Sequence, residues 1–202
     1  SSAASDVYKR QVYDDLIDEH LLEFAPESCE LIYAGKRSGR HSKAQEEINE
    51  LLVEKALEGR YIVRLKGGDP YVFGRGGEEA LALKVHGISV HEVPGVTSGI
   101  GLCGMAGIPV THRGASRGFH VITGHTADNL SPEVEEIRWK SYAKLDETFV
   151  FLMGLKSIDM ITEKLMRYGK LSDTPVAVIH GENTDGTYVK LVAVSYTHLT
   201  LP

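Results

Sequence analysis

Cysteine is scarce in this 202-residue chain, which contains only Cys29 and Cys103. The two form neither a disulfide framework nor a metal-binding spacing, so we expect a reducing compartment, the cytoplasm. Long apolar stretches are missing too: no run of roughly 18 apolar residues occurs, and none opens the chain. We therefore expect no transmembrane helix, no signal peptide and no membrane partner.

Positive charge is not in excess, because 22 lysines and arginines stand against 28 aspartates and glutamates, for a net charge of −6. This balance argues against a nonspecific nucleic-acid binder, and we expect no nucleic-acid partner. It still allows a local basic pocket for an acidic small molecule. Hydrophobic residues make up 42% of the chain, which is ordinary for a globular protein of one large or two small domains.

Two phosphate-binding fingerprints are absent. The chain has no G-x-x-x-x-G-K-[ST], and no G-x-G-x-x-G is properly placed at the turn from a strand into a helix. The nine histidines include no H-E-x-x-H pair. His41, His112 and His125 are isolated, so hydrogen bonding is favoured over metal ligation and we expect no metal. Cys103 lies among glycines, and we interpret it as a packing residue rather than a nucleophile.

A glycine-rich loop is the most informative stretch that is present. An apolar run at 61–65 precedes it, five glycines fall within residues 67–77, and a run rich in alanine and leucine follows at 78–86. This order predicts a strand, a loop and a helix. Such loops bind small ligands in open α/β sheets, because glycine lets a ligand approach the backbone closely. A tight turn without a ligand is the alternative.

Strands and helices alternate along the chain, which predicts an α/β fold with two domains. We predict a mainly parallel sheet in an N-terminal domain, 12–114, and a mixed sheet in a second, incomplete domain, 118–194. The residues at 1–11 and 195–202 show no periodicity, and we interpret them as non-native flanks. Strands are predicted at 12–17 (in part), 31–34, 61–65, 88–93, 119–123, 148–153, 176–179 and 187–194. Helices are predicted after 42, at 78–87, 100–107 and 157–168, and in a surface insertion at 126–142 that contains Trp139.

Polar side chains collect where the predicted strands end. In an open parallel sheet these ends share one edge, so we expect the side chains to converge on one cleft with a basic rim. Solvated surface charges are the alternative. The residues are Asp14; Lys36, Arg37, Arg40 and His41; Lys66, Asp69 and Arg75; Thr97 and Ser98; His112 and Arg113.

Six stretches of the chain carry a resemblance: 12–16, 35–41 with 45–49, 63–79, 93–98 with 106–113, and the weaker 121–125 and 151–154. Through them the chain resembles the tetrapyrrole methylase superfamily, and within it the uroporphyrinogen-III C-methyltransferases. The similarity covers roughly residues 12 to 182. The loop at 36–41 and the turn at 111–113 are the more specific features, whereas 63–79 marks the superfamily.

The resemblance implies two α/β domains with S-adenosylmethionine bound in the cleft between them, usually in a homodimer. It implies methylation of two pyrrole carbons of uroporphyrinogen III, which gives precorrin-2 for sirohaem or cobalamin. By motif, Asp14 matches the proton acceptor and Lys36 the proton donor. On residue type alone, a loop or helix cap for Asp14 and a solvated charge for Lys36 are the alternatives. The residues matched to the methyl donor are Gly67, Gly68, Asp69, Val72, Thr97, Ser98, Met153 and Gly181.

A basic rim suits a substrate rich in carboxylates, because charged hydrogen bonds to them are strong. We assign this rim to Arg37, Arg40, His41, Arg75, His112 and Arg113. The chain departs from the family in three places: no Gly-Pro-Gly loop precedes Val12, the segment around Gly181 is unusual, and we expect the last strands to be missing. We therefore expect a fragment. A methylase of a later corrin precursor, an inactive donor-binding fragment, and a protein or RNA methyltransferase of the same fold are the competing functions.

Overall fold

The computed structural model describes residues 9–35, 45–125, 130–181 and 188–194. They divide into two compact units, Ser1–Thr97 and Ser98–Pro202. None of the helices in the described ranges has both the length and the apolar character needed to cross a bilayer.

The described residues of the first unit contain three parallel strands. β1 (Lys9–Tyr13) lies between β2 (Glu30–Tyr33) and β3 (Tyr61–Arg64), and Val12 is opposite Ile32 on one side and Arg64 on the other. Helices α1 (Gln45–Leu57) and α2 (Gly76–Val85) pack against each other, and a 3₁₀ turn spans Glu19–Phe24. Val12, Ala34 and Leu52 form the buried core. The predicted strand–loop–helix order around the glycine loop is confirmed.

Two features of this unit differ from the expectations. The predicted flank 1–11 overlaps β1, because Lys9 to Gln11 pair with β2 and β3. The strand predicted at 88–93 was wrong, since that stretch of the described range 45–125 contains no strand. A strand needs a neighbour for its backbone groups, and Ile88 instead donates its N–H to the Leu83 carbonyl at the end of α2.

Arg10 is the buried cation of β1. Its guanidinium lies 2.5 Å from a Glu30 oxygen and 2.6 Å from a Glu58 oxygen. A buried charge needs such partners, because an unpaired one is strongly disfavoured. The hydrogen bond from Arg10, and then that from Lys55, lowers the pKa of Glu58. These contacts attach the end of α1 to the sheet.

Glu58→Gln should reduce stability at neutral pH but not in acid. The folded-state pKa of Glu58 is depressed, so its stabilisation is present above the unfolded pKa and is lost as the pH falls through the folded pKa. Urea unfolding of both proteins between pH 7 and pH 3 measures this. The difference in midpoint should shrink as the pH is lowered, and a constant difference would contradict the expectation.

The second unit contains one parallel and one antiparallel strand pair among its described residues. β4 (Phe119–Thr123) pairs in parallel with β5 (Thr148–Leu152), and β6 (Pro175–His180) pairs antiparallel with β7 (Tyr188–Ala193). The helices are α3 (Ser98–Met105), α4 (Pro132–Lys144) and α5 (Ile158–Arg167). Both pairing directions were predicted, although here they belong to two sheets.

The position of two elements in this unit was not foreseen. Trp139 is buried in a cluster with Ile161 and Leu165, so α4 packs on the unit and is not a surface insertion. Helix α3 contacts β5 and β6, and a Cβ at Gly99 would lie 3.2 Å from the Val121 side chain. The units therefore divide at Thr97–Ser98, earlier in the chain than the predicted boundary at 114–118.

Candidate active site

The glycine loop leaves the carboxyl end of β3 with its backbone against the loop that follows β1. A Cβ at Gly67 would lie 2.2 Å from the Leu16 carbonyl oxygen, so only glycine fits there. Gly68 has φ +70°, a conformation that glycine adopts without strain. Packing and conformation thus explain both glycines, and they leave main-chain atoms accessible at the end of the strand.

Asp69 joins this loop to a second one. One carboxylate oxygen accepts the Tyr71 N–H at 2.9 Å, and the other accepts the Gly95 N–H at 3.2 Å. A Cβ at Gly95 would lie only 2.1 Å from the Gly68 carbonyl oxygen. The two loops are therefore in direct backbone contact, with a single carboxylate bridging them. We call Gly67–Asp69 and Gly95–Thr97 the paired loops.

The predicted donor residues of the first unit lie in or beside the paired loops. Val72 donates its N–H to the Asp69 carbonyl at 3.2 Å. Thr97 lies opposite Gly68, since a Cβ on Gly68 would be 4.0 Å from its Cα. The structure thus brings together Gly67, Gly68, Asp69, Val72 and Thr97.

Asp14 ends the central strand and is fixed by two contacts. One carboxylate oxygen accepts the Leu16 N–H at 3.0 Å, and the other lies 2.6 Å from Arg64 Nη2. The first contact closes a local turn, and such a loop role is the one that residue type alone favoured for Asp14. The second is an ion pair with a largely buried guanidinium. Asp14 is thus oriented at the same sheet edge as the glycine loop.

Arg64 and Glu79 were not singled out from the sequence. Glu79 of α2 is 4% exposed, and its Oε1 lies 3.3 Å from Arg64 Nε and 3.1 Å from Lys66 Nζ. Lys66 therefore turns inward. Strand alternation carried a signal, because Arg64 lies two residues after Ile62 and shares its core-facing side. A charge at an inward strand position predicts a buried partner.

Half of the predicted basic rim is not placed by the structure. Arg37, Arg40 and His41 lie outside the described residues, and so does the predicted proton donor Lys36. Arg75 is described and exposed, with two hydrogen bonds to Glu78 at 2.8 and 2.7 Å. These bonds raise the pKa of Arg75 and lower that of Glu78. Any carboxylate that Arg75 binds must therefore compete with Glu78.

The turn after α3 carries the other two rim residues, His112 and Arg113, which are both exposed. The His112 N–H donates to the Ser116 carbonyl at 2.9 Å. The stretch 114–118 also reads G-x-S-x-G, a pattern that can mark a serine nucleophile. Here the Ser116 hydroxyl donates to the Gly118 carbonyl at 2.7 Å within a turn, so the serine is a structural residue.

Three predicted donor residues belong to the second unit. Ser98 is the first residue of α3, which contacts β5 and β6. Met153 follows β5 with φ 58° and is 51% exposed. Gly181 follows β6, and a Cβ there would lie 2.6 Å from Leu102 of α3. All three thus lie on or beside elements that pack together.

Met153 is held in its turn by close backbone packing. A Cβ at Gly124 would lie 2.3 Å from the Gly154 Cα, so the two strand ends touch. A positive φ is unfavourable for a residue with a side chain.

Among the described residues, no group of three His, Cys, Asp or Glu side chains is arranged to hold a metal ion.

The sequence of the chain matches the family model of the tetrapyrrole (corrin/porphyrin) methylases over residues 3–185. The chain belongs to this family. The match begins before β1 and includes every predicted site residue from Asp14 to Gly181. It therefore covers both units of this tetrapyrrole methylase.

Individual relatives have more specific names. A uroporphyrinogen-III C-methyltransferase of Methanocaldococcus jannaschii is 51% identical over 170 residues, which are 83% of this chain and 68% of the relative. A siroheme synthase of Thiobacillus denitrificans is 40% identical over 95% of this chain but only 38% of its own length. The crystal structure of uroporphyrin-III C-methyl transferase from Thermus thermophilus with S-adenyl homocysteine aligns with TM-score 0.72 and 36% identity, over 92% of this chain and 76% of that one.

Proposed function

We propose that this tetrapyrrole methylase transfers methyl groups from S-adenosylmethionine to uroporphyrinogen III, giving precorrin-2 for sirohaem or cobalamin. The observation that carries the proposal is the pair of loops joined by Asp69, in a chain 51% identical to an enzyme of that name. A relative named for the substrate and a related structure complexed with S-adenyl homocysteine support it.

The paired loops suit the donor. S-adenosylmethionine carries hydroxyl and amino groups that need acceptors and a flat base that needs a surface. Gly67 and Gly68 leave backbone accessible, and Asp69 accepts one N–H on each oxygen, so each oxygen retains a lone pair for a ligand. We assign the donor to Gly67, Gly68, Asp69, Val72 and Thr97. The assignment of Ser98, Met153 and Gly181 stays a prediction.

Methyl transfer needs no covalent bond to the protein. The bond from sulfur to the methyl carbon breaks as the pyrrole carbon forms its new bond, and the sulfonium becomes a neutral thioether. Alignment of the two reactants therefore dominates the rate. A proton then leaves the macrocycle, and we propose that Asp14 accepts it and that Lys36 is the proton donor.

A substrate rich in carboxylates explains the concentration of cations in the loops. We propose that Arg37, Arg40, His41, Arg75, His112 and Arg113 bind these carboxylates. We further propose that the protein works as a cytoplasmic homodimer without a metal, a nucleic acid or a membrane as partner. Size-exclusion chromatography with light scattering measures the oligomeric state.

Incubation of the chain with both substrates tests the function. Precorrin-2, or its oxidised product, should appear in the absorption spectrum, and the donor should be consumed. Donor binding without turnover would favour the inactive binder. Turnover only of an already methylated precursor would favour a methylase of a later corrin intermediate.

Asp69→Ala should weaken donor binding about 10- to 150-fold, because a hydrogen bond to a charged group contributes about 1.5–3 kcal/mol and the bond from Gly95 to Asp69 holds the paired loops together. Asp69→Asn keeps one acceptor oxygen and should fall between the alanine variant and the wild type. Calorimetric titration with S-adenosylhomocysteine measures both. Unchanged affinity in the alanine variant would remove Asp69 from the donor site.

Lys36→Ala should mainly lower turnover and leave the donor affinity near that of the wild type. A proton donor acts in the chemical step, and its loss lowers the rate by about 100-fold or more. Steady-state assays that vary each substrate separate the two effects. A rise in the KM for uroporphyrinogen III at constant kcat would make Lys36 a substrate-binding residue.

A further inference from the structure

A network of buried charges runs from Glu79 of helix α2 through Arg64 to Asp14 at the end of the central strand, with Lys66 as a second cation on Glu79. It consists of Glu79, Lys66, Arg64 and Asp14, two anions and two cations whose charges cancel. Every side chain in it is largely buried, with exposed fractions between 6% for Glu79 and 18% for Asp14. Asp14 and Glu79 do not share a hydrogen bond, so Arg64 is the link between them.

Glu79 is the fixed end of this charge network. Its Oε1 lies 3.1 Å from Lys66 Nζ, 3.3 Å from Arg64 Nε and 3.4 Å from Gln45 Nε2. The residue lies in the first turn of α2, which packs against α1, so its backbone cannot shift freely. A carboxylate at this depth requires its cations, because removing one partner of a buried pair is strongly destabilising.

Arg64 connects Glu79 to Asp14, because its guanidinium is hydrogen-bonded to both carboxylates. Its Nε donates to Glu79 and its Nη2 to Asp14 at 2.6 Å, while its Nη1 donates to the Leu65 carbonyl at 2.7 Å. The guanidinium is a rigid plane, so fixing Nε and Nη1 also fixes the direction of Nη2. The orientation of the Asp14 carboxylate therefore depends on Glu79.

We infer that Glu79 is a positioning residue, which acts through Arg64 to hold the Asp14 carboxylate in the orientation that accepts the proton. The inference rests on the proposed function, in which Asp14 is the proton acceptor. The Glu79 side chain is buried against Gln45, Arg64 and Lys66, so we expect it to act through Arg64 and not by contact with a substrate. Its effect is thus confined to the chemical step and depends on the presence of Asp14.

A double-mutant cycle tests the inference. Glu79→Gln keeps the size and an acceptor oxygen but removes the charge, and it should lower kcat about 10- to 100-fold with both KM values unchanged, since the misplacement is small. Asp14→Asn combined with Glu79→Gln should be no slower than Asp14→Asn alone. Glu54→Gln changes an exposed glutamate of α1 and should leave kcat at the wild-type value.

Two kinetic results would overturn the inference. In one, the two substitutions multiply in the double variant, which means that Glu79 acts independently of Asp14. In the other, Glu79→Gln raises the KM for the donor at constant kcat. If Glu79→Gln does not fold, Arg64→Lys replaces it in the cycle, because lysine keeps the charge but not the planar fork.

A stability cycle separates failure of the inference from failure of the proposed function. If the wild type does not turn over uroporphyrinogen III, the proposed function has failed, but the link between the residues is still measurable. The urea midpoint of the double variant should then shift by less than the sum of the single shifts. Additive shifts would show that Arg64 does not link the two carboxylates.

Discussion

Asp14→Asn is expected to lower turnover of uroporphyrinogen III by about 100- to 10,000-fold, the range that proton transfer by a positioned side chain contributes. Asparagine has the same size and keeps an oxygen for the Arg64 contact, but it cannot take up the proton. The donor affinity should not change, because Asp69 and not Asp14 joins the paired loops. Single-turnover assays and titration with S-adenosylhomocysteine measure the two quantities.

Asp15→Asn is the matched control, with the same chemical change one residue along the chain. Asp15 is exposed, and its carboxylate accepts the Tyr33 hydroxyl at 2.5 Å. Surface substitutions of this kind have small effects, so turnover should stay within about twofold of the wild type. Equal losses in the two variants would mean that the loop as a whole is sensitive, and would remove Asp14 as the proton acceptor.

Gly95→Ala is expected to open the contact between the paired loops and to weaken donor binding about 10- to 100-fold. The added methyl carbon would lie 2.1 Å from the Gly68 carbonyl oxygen and 2.9 Å from its carbon. Both are main-chain atoms of the other loop, so no side chain can move aside to make room. Donor titration measures the loss of affinity.

Gly77→Ala is the control for this substitution. A Cβ at Gly77, in the first turn of α2, would meet no atom within 4 Å. Alanine is the better helix former, so stability should equal or exceed that of the wild type by up to about 1 kcal/mol. If Gly95→Ala binds the donor as well as Gly77→Ala does, the contact between the loops has no part in binding.

Much of the α/β fold was predictable from apolar periodicity and turn residues. The strands at 61–65, 119–123 and 148–153 were predicted to within a residue at each end, because each is a short apolar run beside polar or glycine-rich segments. The alternating pattern at 88–93 looked equally strand-like and is not a strand. A strand depends on a neighbour, which is a property of the tertiary structure and not of the local sequence.

The candidate site was predictable only where motif and backbone geometry coincide. Gly67, Gly68 and Asp69 were predicted because glycines and an acceptor beside one another indicate a ligand loop. The bond from Gly95 to Asp69 joins residues 26 positions apart, and no local pattern reveals it. Glu79 was missed for a related reason. It looks like an exposed acidic residue of a helix's first turn, and only the packing of α2 shows that it is buried.

The burial of Glu79 and the exposure of Arg75 divide the charges of the first unit into two classes with different responses to salt. Mobile ions screen charges that face water over about 8 Å at physiological ionic strength, but they hardly reach buried pairs. Added salt should therefore weaken attraction of an anionic substrate to Arg75. It should leave the network of Glu79, Arg64 and Asp14 intact. The rate of encounter with the substrate should thus fall as the ionic strength rises, whereas the rate of the chemical step should not change.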